Sequence, residues 1–61
     1  MNKIKYYREY YGISQRQLAM NAKISHTEMV YIESGKHAPN VYLAIRIAKI
    51  LKVQVENLFM E

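Results

Sequence analysis

Ser14 and Ser25 stand eleven positions apart, and each is followed three residues later by a side chain that can reach back to it, Gln17 and Glu28. Ser-x-x-Gln and Ser-x-x-Glu are capping boxes: the serine hydroxyl takes the N–H of the third helical residue, and the Gln or Glu takes the N–H of the serine. Two helix starts this close leave room for one helix of about two turns, ending near Ala22. Lys23-Ile24 is then a minimal turn, and the next helix begins at His26.

The rest of the chain falls into place around that pair. Ile4, Tyr7 and Tyr11 recur at helical spacing within residues 2 to 11, and Gly12 is placed as a left-handed C-cap, which predicts a first helix. The third helix carries Met29 and Ile32 inward and stops at Gly35. After the loop Lys36-His37-Ala38-Pro39, Asn40 is a good N-cap for a fourth helix over residues 41–51, with Val41, Ala44, Ile45, Ile47, Ala48 and Leu51 as a wide apolar stripe. A short fifth helix over residues 55–59 brings Leu58 and Phe59 over the core. No segment alternates with period two, and no linker, repeat or low-complexity tract interrupts the chain. The expected fold is all-α, a single domain (residues 1–61) built as a compact bundle of five short helices.

Composition narrows the function. A chain of 61 residues buries only about 60% of the surface its unfolded form exposes, so a large enclosed active site is not expected. A hydrophobic content of 51% argues against disorder. The chain has no Cys, which excludes disulfides, thiolate metal sites and a cysteine nucleophile. With no Asp either, two His without metal-ligand spacing and no Gly-rich phosphate loop, no metal or cofactor site and no nucleophile with its base can be assembled, and an enzyme is not expected. No apolar run approaches the roughly 20 residues of a membrane span, and Met1-Asn2-Lys3-Ile4-Lys5-Tyr6 lacks the apolar centre of a signal peptide, so the expected location is the cytoplasm, away from membranes. Nine Lys and Arg against five Glu give a net charge of +4. Nucleic acid is the leading partner for such a balance.

Gly12-Ile13-Ser14-Gln15, then Leu18-Ala19, Ile24-Ser25, Ile32-Glu33-Ser34-Gly35-Lys36, Pro39, Ile47-Ala48, Leu51, Val53 and Leu58-Phe59 form an ordered set. Over about residues 3 to 59 that set closely resembles the phage repressor and Cro family of helix-turn-helix domains, the lambda repressor-like or XRE type. The resemblance implies sequence-specific binding of double-stranded DNA by a transcriptional regulator, a repressor by preference, commonly as a homodimer on a two-fold symmetric operator. Lys23 and Lys52 stand where the family usually has Gly, and a non-Gly residue in left-handed conformation costs on the order of 1 kcal/mol. Gln54 replaces the usual Ser or Thr cap, which predicts a weakly capped fifth helix.

Carried over by position, the family's base-reading residues fall on His26, Thr27 and Tyr31, with Glu28 or Val30 beside them. Thr27 can pair with a base edge or touch a thymine methyl, His26 can donate to guanine or phosphate, and Glu28 can accept from cytosine N4. A capping-box role competes for the Glu28 carboxylate. Gln15 and Arg16, in the first turn of the second helix, suit a phosphate, as does the family's use of this Gln. Ser34, Lys36 and His37 flank Gly35 and can hold the opposing strand, Lys36 first among them; His37 otherwise reads as exposed loop. Arg8 and Glu33 match positions that often form a structural ion pair between the first helix and the end of the third. Tyr7 and Tyr11 share the face of Ile4 and read as core, leaving Tyr6 and Tyr10 as an outer stripe whose spacing argues against single-strand stacking. Leu43 and Ile50, with Leu58, Phe59 and Met60, suggest a dimer interface, the alternative being that they complete a small core. A helix-turn-helix module that binds a protein, antitoxin-like or adaptor, is the rival function, and RNA binding a third.

Overall fold

A computed structural model describes residues 2–59, and in it local capping sets the helix limits. The elements are α1 (Ile4–Tyr10), α2 (Gln15–Ala22), α3 (His26–Ser34), α4 (Val41–Ile50) and α5 (Val55–Phe59), with no strand among the described residues. At α2 the capping box is complete: the Gln17 N–H donates to Ser14 Oγ and the Ser14 N–H donates to Gln17 Oε1, both at 3.0 Å. The second box is only half made. The Glu28 N–H donates to Ser25 Oγ at 3.0 Å, but the Glu28 carboxylate turns away to His37. Asn40 Oδ1 takes the Leu43 N–H at 2.9 Å and starts α4. In α5, headed by Gln54, the Asn57 N–H donates to the Gln54 carbonyl at 2.9 Å.

Four helices end on left-handed residues, two of them lysines: Gly12 (φ 71) after α1, Lys23 (φ 63) after α2, Gly35 (φ 83) after α3 and Lys52 (φ 60) after α4. That conformation lets successive N–H groups turn back on the last carbonyls. Lys23 donates to Met20 at 3.1 Å and Ile24 to Ala19 at 3.0 Å, and Lys52 and Val53 repeat the pattern on Lys49 and Ala48.

α2 lies at the centre, against α1, α3 and α4, and α5 packs on α4. Ile4, Leu18, Met29, Ile32, Ile47, Leu51 and Leu58 are fully buried between them, each contributing about 1.5–3 kcal/mol. Ala19, Ala22 and Ala48 let the helices approach. Met29 and Ile32 turn inward from α3, so its opposite edge faces out.

The apolar stripes are narrower than periodicity suggests. Tyr7 is half-buried, but Tyr11 is exposed together with Tyr6 and Tyr10. Val41 is 69% and Ile45 39% exposed, because the five residues of α5 cover only part of the face that α4 presents. Three ties join the ends of elements: Asn2 Nδ2 donates to the Ile32 carbonyl at 2.8 Å, the Lys3 N–H to the Leu58 carbonyl at 2.9 Å, and Arg46 Nη1 to the Ala22 carbonyl at 2.7 Å.

Candidate nucleic-acid interface

The outer edge of α3 carries His26, Thr27, Glu28, Val30 and Tyr31, of which Thr27 and Val30 are exposed and the others half-buried. His26, the first residue of α3, meets Gln15, the first residue of α2, with Nε2 2.8 Å from Oε1. An amide oxygen only accepts, so Nε2 carries the proton. The amide NH2 of Gln15 is left with its two donors, the right chemistry for an anion. His26 has then spent its Nε2–H inside the protein, which leaves Nδ1 as the ring atom free for an outside partner.

Around Gln15 the start of α2 adds further donors. Ser14 satisfies Gln17, and the N–H groups of Gln15 and Arg16 lie in the first turn, where no intrahelical carbonyl can reach them. The exposed Arg16 side chain stands beside them.

At the other end of α3 a single carbonyl gathers the loop. Tyr31 O accepts from the N–H of Lys36 at 2.9 Å, the N–H of His37 at 3.2 Å and the hydroxyl of Ser34 at 3.0 Å. Ser34 Oγ also accepts from the Lys36 N–H at 3.4 Å, so its hydroxyl is committed to the backbone and not to an outside partner. The Lys36 ammonium lies 4.5 Å from the centre of the Tyr31 ring on an otherwise exposed chain. His37 is exposed, and its ring rests on Tyr31 and Glu28.

Beneath this edge Arg8 grips Glu33 with two parallel bonds, Nε to Oε2 at 2.7 Å and Nη2 to Oε1 at 3.2 Å, while Nη1 donates to the Ile13 carbonyl at 3.1 Å. The side chains are 12% and 7% exposed. One guanidinium therefore ties α1, the segment leading into α2 and the end of α3.

A family model described as helix-turn-helix matches residues 4–58. The chain is a helix-turn-helix protein of the lambda repressor-like family. It is 40% identical over 58 residues to an uncharacterized HTH-type transcriptional regulator of Methanocaldococcus jannaschii, covering 95% of this chain and 88% of that one. It is 33% identical over 57 residues to another such regulator from Archaeoglobus fulgidus (93% and 81%), and 31% identical over 58 residues to one from Bacillus subtilis (95% and 88%).

Within the helix-turn-helix, Gln15 meets His26 where α2 and α3 begin, and Glu28 and Tyr31 meet His37, with Lys36 over the Tyr31 ring, towards the other end of α3; Arg16 and Thr27 are exposed near the two helix starts. Among the described residues, those read from the sequence as a dimer interface are buried or half-buried. Leu58 is 1% exposed and belongs to the core, Leu43, Ile50 and Phe59 are half-buried against it, and Met60 lies outside the described residues. On α4 the exposed apolar side chains are instead Val41, Tyr42 and Ile45, beside an open cleft of about 540 Å³ whose lining includes Pro39, Ala44, Val55 and Phe59. Sequence reasoning placed Val41 and Ile45 inside and passed over Tyr42. It also missed Asn2 and Arg46, which carry no local signal because their partners lie 30 and 24 residues away.

Proposed function

We propose that this helix-turn-helix protein is a sequence-specific transcriptional regulator that lays α3 in the major groove of double-stranded DNA. The contact between Gln15 and His26 carries the proposal. It locks a phosphate-seeking amide to the first residue of the helix whose outer edge bears the base-reading groups, so backbone grip and base reading share one rigid register. Arg16 at one end and Lys36 at the other supply the charge. Thr27, Glu28 and Tyr31 contact base edges, and Ser34 helps by shaping the loop. Repression follows from occupancy, since a bound protein blocks access to its site without needing a second surface for polymerase. No catalytic role is assigned, and the protein works in the cytoplasm, where its DNA is; among the described residues no helix is long and apolar enough to cross a membrane.

The active species is a homodimer on a two-fold symmetric site. The exposed Val41, Tyr42 and Ile45 beside the cleft give an apolar patch on one edge, and a patch of this kind is suited to self-complementary association. The same patch favours the second reading, a module docking a protein partner in the manner of an antitoxin or adaptor. Titration of random-sequence duplex at low salt, followed by selection from a randomised pool, separates the two. Binding with enrichment of a symmetric sequence is expected; absence of duplex binding at low salt would overturn DNA recognition in favour of a protein partner.

A further inference from the structure

Glu28 and His37 lie nine residues apart, on the outer edge of α3 and in the loop that follows it, and they meet. His37 Nδ1 is 3.2 Å from each oxygen of the Glu28 carboxylate. A carboxylate only accepts, so Nδ1 carries a proton and shares it between the two oxygens. The imidazole also stands edge-on to Tyr31 with ring centres 4.9 Å apart, and its backbone N–H donates to the Tyr31 carbonyl at 3.2 Å. His37 is thus held by backbone, ring and nitrogen before any DNA arrives. Its side chain is 46% and that of Glu28 38% exposed, so the pair is open to a ligand and contributes little to stability.

A carboxylate on a helix presented to DNA is a liability against phosphate. It gains only where a base edge offers a donor. In the major groove cytosine offers N4, while adenine sets its N6 donor beside the N7 acceptor, which repels a carboxylate. We infer that Glu28 reads a cytosine N4 amino group and that His37 is its positioning residue, donating to the carboxylate and turning it to the base edge. This rests on the duplex binding proposed above and reassigns His37 from phosphate contact to base specificity.

Selection from a randomised duplex pool tests it with the full chain and the variants Glu28→Gln, His37→Ala and His37→Asn. The wild type should enrich a C·G pair at one position of each half-site, and Glu28→Gln should lose that preference. His37→Ala should relax the same position roughly fivefold to tenfold, within the range of one base contact, with other positions and the melting temperature unchanged. His37→Asn, whose amide can donate to the carboxylate, should restore it. A His37→Ala variant weakened equally on all sequences, with a shallower salt dependence, would return His37 to phosphate binding and overturn the inference. So would a wild type that selects a sequence in which Glu28→Gln moves no position. A wild type that binds no duplex would remove the proposed function itself, a distinct outcome.

Discussion

Lys23 holds a backbone conformation that disfavours side chains, at φ 63, between the two helices that would enter and support the groove. Among the described residues no side-chain partner that would offset the strain is observed for it, whereas Lys52, equally left-handed, lies with its ammonium 5.9 Å from the Tyr11 ring. Replacing Lys23 with Gly should therefore stabilise the fold by about 0.5–1 kcal/mol, after allowing for the greater chain entropy that glycine loses. In a domain this small that is a rise of a few degrees in Tm; an unchanged Tm would mean that the turn absorbs the lysine without strain. Thr27, exposed at the second position of α3, has no fold role that would mask its loss. Thr27→Ala should cost about 1–3 kcal/mol on the selected duplex and little on random DNA, measured by titration at one salt concentration. Equal losses on both would assign Thr27 to phosphate.

Between elements, the pair of Arg8 and Glu33 decides how firmly α3 is held. Arg8→Met strands a carboxylate that is 7% exposed, a loss of about 3–5 kcal/mol, comparable with the whole stability expected for 61 residues at roughly 0.05–0.15 kcal/mol each. Chemical denaturation should show Arg8→Met largely unfolded or far less stable, with Glu33→Gln adding no further loss in that background and relieving part of it; additive losses would mean the two charges act independently. The helix limits themselves were legible in the chain because caps are local: Ser14 with Gln17, Asn40 and Gly35 each act on residues three or four positions away. The Arg8 and Glu33 positions were legible through resemblance, since nothing in 25 residues of separation announces a contact. Glu28 misled for a physical reason. Its capping partner and His37 compete for one carboxylate, and only the folded loop settles the competition. The α4 stripe misled too, since period 3.6 locates an apolar face but says nothing about how much of it a five-residue neighbour can cover.

Across the whole molecule, the longest extent is 24 Å, shorter than the roughly 34 Å between successive major-groove faces, so under the proposed function one copy would address one half-site. Val41→Glu tests the proposed pairing cleanly: Val41 is exposed and opens α4, where a helix N-terminus favours an acid, so the fold should stand while the apolar patch is broken. Sedimentation at rising concentration should show the wild type associating and the variant monomeric; identical profiles would place the interface elsewhere. If each copy neutralises about three or four phosphates, the log–log salt slope for the dimer should be roughly −5 to −7, and a slope near zero would remove the electrostatic grip. The carbonyl of Tyr31, with Lys36, His37 and Ser34 gathered on it, bears on the thermodynamics of that association. A loop so anchored should exchange its Lys36 and His37 amide hydrogens slowly for an exposed segment and should meet a duplex already ordered. Calorimetry of binding should then return a heat-capacity change accounted for by the docked surface alone, with no contribution from a segment folding onto the DNA.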